Sequence, residues 1–176
     1  MIEDCQLNGT TALIKCDSLS DFREYEDKLY RIFVSLYETN TIFFKGFRIF
    51  MKHYPPEYSE KSGLYHLIYE NFQHTGDELD RLPSLRRCER ITWARTIIDF
   101  CPKRCDEILI WENIRKNKKN ILLFCPAVNY LVVLGQRKDY LLLVTAYPVE
   151  HEHRKAQLLK EYDAYIEKTN NASPLG

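Results

Sequence analysis

The chain predicts an α+β domain: an antiparallel sheet of four to five strands with packed helices, including an N-terminal helix and a C-terminal helix. Three observations lead there. Segments near both ends carry apolar residues at three- and four-residue steps, the helical period. Between them lie short runs rich in Val, Ile, Leu, Phe and Tyr, which suit a pleated sheet. The late runs are joined by turns of a few residues, which antiparallel neighbours can use and parallel ones cannot. A length of 176 residues suits one domain with a substantial core. We expect a single domain over 1–170, made of a helix-strand extension (1–55) and a core (56–168), with a flexible tail at 169–176.

Each element has its own signal. Ser18 or Ser20 can cap a helix whose apolar stripe is Phe22, Tyr25, Leu29, Ile32, Phe33 and Leu36. Residues 41–50 are aromatic and branched, a strand pair or a strand bent at Gly46. Pro55 and Pro56 stop regular structure, and 54–63 reads as a loop. A short apolar segment, 64–69, holds His66 at its middle, and a polar connection from Gln73 leads to Pro83. A second helix runs from Ser84 to about Cys101, where Pro102 ends it. Strands at 108–111 and 121–125 flank a basic turn, 116–120. A hairpin follows, 130–134 and 140–147 around the turn 135–139, then a helix over 151–168. Strict alternation in the second hairpin strand would put Thr145 and Tyr147 on the face of Leu141 and Leu143.

Composition narrows the function. Twenty-five basic residues balance 25 acidic ones, which argues against a dedicated non-specific nucleic-acid binder and leaves room for a small positive groove. The cysteines (5, 16, 88, 101, 105 and 125) are scattered, with neither a C-x-x-C pair nor finger-like ligand spacing. The first residues are acidic, unlike a signal peptide, and no run reaches the roughly 20 apolar residues of a membrane span. A reduced, cytoplasmic protein is expected. Phosphate-loop, dinucleotide and serine-hydrolase signatures are absent, and His151 and His153, two apart on a predicted helix, do not share a face for a metal.

Several side chains could carry chemistry. His66, in an apolar segment, could have its proton affinity tuned near neutrality, or could be a core histidine satisfied by a backbone carbonyl. Arg86, Arg87 and Arg90 crowd one helical stretch with Trp93 a turn on, suiting phosphate and a stacked base, or forming a solvated face over a core indole. Thr145 and Tyr147 place two hydroxyls at a strand end, or simply follow strand preference. Arg137, Lys116, Lys118 and Lys119 read as turn residues.

Four segments in order, Gly63-Leu-Tyr-His66, Arg87-Cys-Glu-Arg-Ile-Thr-Trp93, Tyr130-Leu-Val-Val-Leu134 and Leu143-Val-Thr-Ala-Tyr-Pro148, resemble phage-type nucleases of the barnase–EndoU–colicin–RelE (BECR) superfamily. The resemblance spans about residues 60–160 and implies a prophage- or toxin-type endoribonuclease that needs no metal or other cofactor. In it the RNA 2′-hydroxyl attacks, leaving a 2′,3′-cyclic phosphate. It implies catalytic roles for His66 (general base or acid), Arg87 and Arg90 (phosphate), and Thr145 and Tyr147 (site lining). Trp93, Arg86 and Arg137 would contact substrate. Expected partners are RNA and an antitoxin or immunity protein. The alternative is a non-catalytic RNA- or protein-binding module on the same scaffold. Zero net charge and the first 50 residues depart from the small, basic RelE-like members.

Overall fold

A computed structural model describes residues 12–54, 56–71, 77–100 and 107–172. Cys5, Cys101, Cys105, His74 and most of the polar connection from Gln73 lie outside those residues. Ser18 caps a short turn, Leu19–Asp21, by accepting from the Ser20 amide. Helix α1 (Phe22–Phe33) follows and buries Tyr25, Leu29 and Phe33, spaced one turn apart. A π-helical turn, Val34–Thr39, extends it. Strands β1 (Ile42–Phe44) and β2 (Phe47–Met51) are joined by Lys45 and Gly46, both at positive φ (48° and 84°). Such mirror-image turns match strand twist, so this segment is a true hairpin.

Helix α2 (Ser62–Ile68) contains His66, and a small sheet pairs β3 (Tyr69–Glu70) with β4 (Leu82–Pro83). The single helix expected from Ser84 is broken into α3 (Leu85–Cys88) and α4 (Trp93–Phe100). In the break, the amides of Arg90, Ile91 and Trp93 bond carbonyls three residues back rather than four. The β-branched pair Ile91-Thr92 sits there, where a regular turn would crowd it. Strands β5 (Leu109–Arg115), β6 (Lys118–Cys125), β7 (Tyr130–Gln136) and β8 (Leu141–Pro148) precede helix α5 (Glu152–Ala172), which passes the expected start of the tail at 169.

The main sheet has six strands in the order β1-β2-β8-β7-β6-β5, correcting the expected four to five. It is mostly antiparallel; the N-terminal hairpin joins through β2, which runs parallel to β8. That pairing spans some 90 positions of sequence and has no local turn to announce it. Alternating residues of β6 and β7 feed two cores. Leu123, Cys125, Tyr130, Val132 and Leu134 meet α1, α2 and α4 on one face. Leu122, Phe124 and Leu131 meet Trp111 and Leu158 on the other, beneath α5. Helix α5 anchors on the β5 side, through Trp111 against Tyr162 and Arg115 with Glu161 at 3.2 Å. Over β2 and β1, no helix among the described residues packs on this second face.

Candidate nucleic-acid interface

A bulge decides which face the end of β8 presents. Val133 pairs with Thr145 while Leu134 pairs with Leu143, so Val144 is the extra residue. Alternation therefore slips by one. Leu141, Leu143 and Ala146 enter the core under α1–α4, while Leu142, Val144, Thr145 and Tyr147 face the other way. The two hydroxyls thus stand on the face opposite Leu141 and Leu143, contrary to uninterrupted alternation.

On that face lies a cavity of about 620 Å³. Its floor is apolar: Leu122, Val133, Leu142 and Val144. Its rim carries six cations, Lys52, Arg115, Lys116, Lys118, Arg137 and Arg154. Among the described residues no Asp, Glu or His lines it. Asn113, Asn120, Thr145 and Tyr147 supply uncharged hydrogen-bonding groups. One row of paired residues crosses it: Asn113, Asn120, Gly135 and Leu142. Gly135 has a steric reason to be glycine, since a Cβ there would stand 2.9 Å from Val144 Cγ2 and 3.1 Å from Arg137 Nη1. Its bare backbone lets the Arg137 guanidinium lie across the floor.

The β5–β6 turn aims the lysines. Lys116 and Asn117 both adopt positive φ (49° and 58°), giving a tight mirror-image turn. Lys118, Asn120 and Leu122 then alternate onto the cavity face. Lys119 takes the other face, with Glu112 at 2.8 Å. Lys116 and Lys118 have no carboxylate partner among the described residues. The i, i+2, i+4 spacing of Lys116, Lys118 and Asn120 is a signal that a turn assignment overlooks; Lys52 and Arg154 had none, because they arrive from distant elements.

Tyr147 stands beside the cavity in a cationic setting. The Arg87 guanidinium packs over its ring at 5.3 Å, and Arg154 Nη2 donates to its hydroxyl at 3.4 Å. Arg87 is only 13% exposed and lies 3.4 Å from Glu70; burial pulls its proton affinity down, and the Glu70 charge opposes that.

His66 is elsewhere. Pairing of β2 with β8 ends at Met51–Leu143, leaving β8 with an edge beyond it. There His66 Nε2 donates to the Val144 carbonyl at 2.6 Å, while its Nδ1 accepts from Arg81 Nη1 at 3.2 Å. Both partners fit one neutral tautomer, with the proton on Nε2. The ring is 8% exposed and does not line the cavity. Of the His66 and Tyr147 pair, only Tyr147 lines the cavity; His66 is linked to Tyr147 through Arg81, the Tyr69 carbonyl and Arg87.

Arg86 lies in α3 and Arg90 in the break after it. Arg86 is exposed and paired with Glu150. Arg90 packs over Trp93 at 4.9 Å and bonds the Arg86 carbonyl. Trp93 is 7% exposed, 5.4 Å from the Tyr130 ring, with Nε1 donating to the Ala12 carbonyl. Of the eight residues singled out from sequence, Thr145, Tyr147 and Arg137 line the cavity, Arg87 braces Tyr147, and His66, Arg86, Arg90 and Trp93 lie outside its lining.

Such a surface can neutralise several phosphates while offering an apolar floor to a base. Among the described residues no cluster of three His, Cys, Asp or Glu side chains suited to a metal ion forms, and no helix is long and apolar enough to cross a membrane. No protein-family model, curated protein or solved structure matches the chain.

Proposed function

We propose that this chain binds RNA in the cationic cavity and cleaves it there without a metal, as the BECR-like segments imply. The observation that carries the binding is six cationic side chains, of which Arg115 pairs with Glu161, and no carboxylate among the described residues that line the cavity, on a chain with zero net charge. Charge that cancels overall is concentrated here, which is how a neutral protein attracts a polyanion.

Cleavage is supported by Tyr147. The 2′-oxygen attacks phosphorus and the P–O5′ bond breaks. Water takes the 2′ proton, and the Tyr147 hydroxyl protonates the leaving 5′-oxygen before regaining a proton from solvent. The surrounding guanidinium and ammonium groups offset the charge gathering on the phosphate. In this reading His66 is a positioning residue.

A second reading, binding without cleavage, is favoured by one observation: no imidazole or carboxylate is among the described residues lining the cavity. A labelled single-stranded RNA incubated with the full chain in EDTA separates the two. Cyclic phosphate ends, lost by about 100-fold or more in Tyr147→Phe with affinity unchanged, support cleavage. Tight binding with no product supports the second reading. Absence of binding at low salt overturns both.

A further inference from the structure

The row that crosses the cavity does not stop at Leu142. Leu142 pairs with Phe50 of β2, so Phe50 faces the same side of the sheet. Two residues before it, Arg48 shares that face, and Arg48 pairs with Phe43 of β1. Two residues after it, Lys52 reaches the cavity rim. This end of the sheet is therefore an aromatic strip with cations between its rings.

These rings are exposed in a way that packing does not explain. Phe43 is 56% exposed, Phe50 41% and Tyr140 38%. Phe50 and Tyr140 meet edge to face at 5.3 Å, and the Arg48 guanidinium sits 4.6 Å from the Phe50 ring. The opposite faces of the same strands show normal burial, with Ile42, Phe44, Ile49 and Met51 in the core. Apolar rings grouped on an open sheet face mark a contact surface.

From the cavity and this strip together we infer that the β1–β2–β8 face is a base-stacking platform for single-stranded RNA, continuous with the cationic cavity. The inference rests on the RNA reading of that cavity. Continuity and charge select the occupant. The strip opens directly onto the lysine and arginine rim, and its own charged side chains, Arg48 and Lys52, are cations. Stacking requires unpaired bases, so a duplex is excluded as the favoured ligand. From β6 to β2 the row covers three interstrand steps, about 14 Å. A strand anchored by phosphates in the cavity thus lays its next bases on Tyr140, Phe50 and Phe43.

The test uses the full chain and a fluorescein-labelled single-stranded RNA of about 12 nucleotides, read by anisotropy, beside a dinucleotide that fills the cavity alone. Phe43→Ala, Phe50→Ala and Tyr140→Ala each weaken the longer RNA at least about fivefold, the lower end of one lost stack, and leave the dinucleotide unchanged. Removing bases from one half of the RNA weakens the native protein to the same degree. Thermal melts of the variants check folding, which exposed positions should preserve.

RNA binding that is lost in Lys118→Glu but untouched in all three aromatic variants overturns the platform and leaves the cavity reading intact. No binding of either RNA by the native chain overturns the cavity reading, and the platform with it. Self-association of the native chain, abolished by Phe50→Ala with RNA affinity unchanged, makes the strip a protein contact and overturns the inference.

Discussion

His66 Nε2 meets the Val144 carbonyl at the point where β2 has left the edge of β8. An edge carbonyl buried beside a bulge needs a donor, and the imidazole supplies it while Arg81 holds the ring in register. Removing the ring strands the Val144 carbonyl, while Arg81 keeps the backbone carbonyls of His66 and Tyr69. His66→Ala should therefore lower the unfolding free energy by about 1–3 kcal/mol, read from a urea midpoint. Unchanged stability with cleavage abolished would return His66 to the chemistry. Arg87 and Tyr147 show a related economy. A guanidinium that is largely buried and stacked on a phenol fixes where that hydroxyl points, so it shapes the cavity from outside its lining.

The hairpin turns place the cations, and one of them is strained to do so. Lys116 sits at φ 49°, a left-handed backbone that costs an L-residue about 1–2 kcal/mol and that asparagine tolerates better. Lys116→Asn should raise stability by about 0.5–1 kcal/mol and weaken RNA binding several-fold. Higher stability with unchanged affinity would show that the strained lysine does not touch RNA. These turns were within reach of sequence reasoning: Gly46 marked one, and the lysine-rich 116–120 marked the other. The helices at both ends were equally plain from their spacing. Three features were not. The β2–β8 pairing is non-local, so only the assembled core specifies it. The Val144 bulge adds one residue without any Gly or Pro to betray it, and it moves Thr145 and Tyr147 to the other face. The break at Ile91-Thr92 lies inside a pattern that reads as one continuous helix. The site was legible where a residue's own strand carries it, as for Tyr147, and hidden where Lys52 or Arg154 arrives from elsewhere in the chain.

Across the molecule, acids and bases balance, but they are sorted in space. Ion pairs such as Arg95–Asp99, Lys61–Asp27 and Lys119–Glu112 occupy other surfaces, and the described cavity lining, where Arg115 pairs with Glu161, is left in cationic excess. The other core hides groups that resist ionisation. Burial, reinforced by Glu26, pushes the Cys88 thiol from 9.0 up to about 12, and burial raises Tyr37 and Tyr130 further still. A raised acid stabilises the fold fully below its unfolded value and loses that contribution as pH climbs toward the folded one. Urea midpoints should therefore hold up to pH 9 and fall steadily between about 9 and 12, less so in Cys88→Ala. A flat profile across that range would mean these groups reach solvent.

The proposed seat of RNA is the cavity between β5–β6, β8 and α5. It is tested most directly by photocrosslinking a 4-thiouridine single-stranded RNA to the full chain and mapping the adducts by mass spectrometry. Adducts are expected on Tyr147, Lys118 and their neighbours around the cavity, suppressed by salt. Adducts confined to α1, or scattered without regard to the cavity, would contradict it.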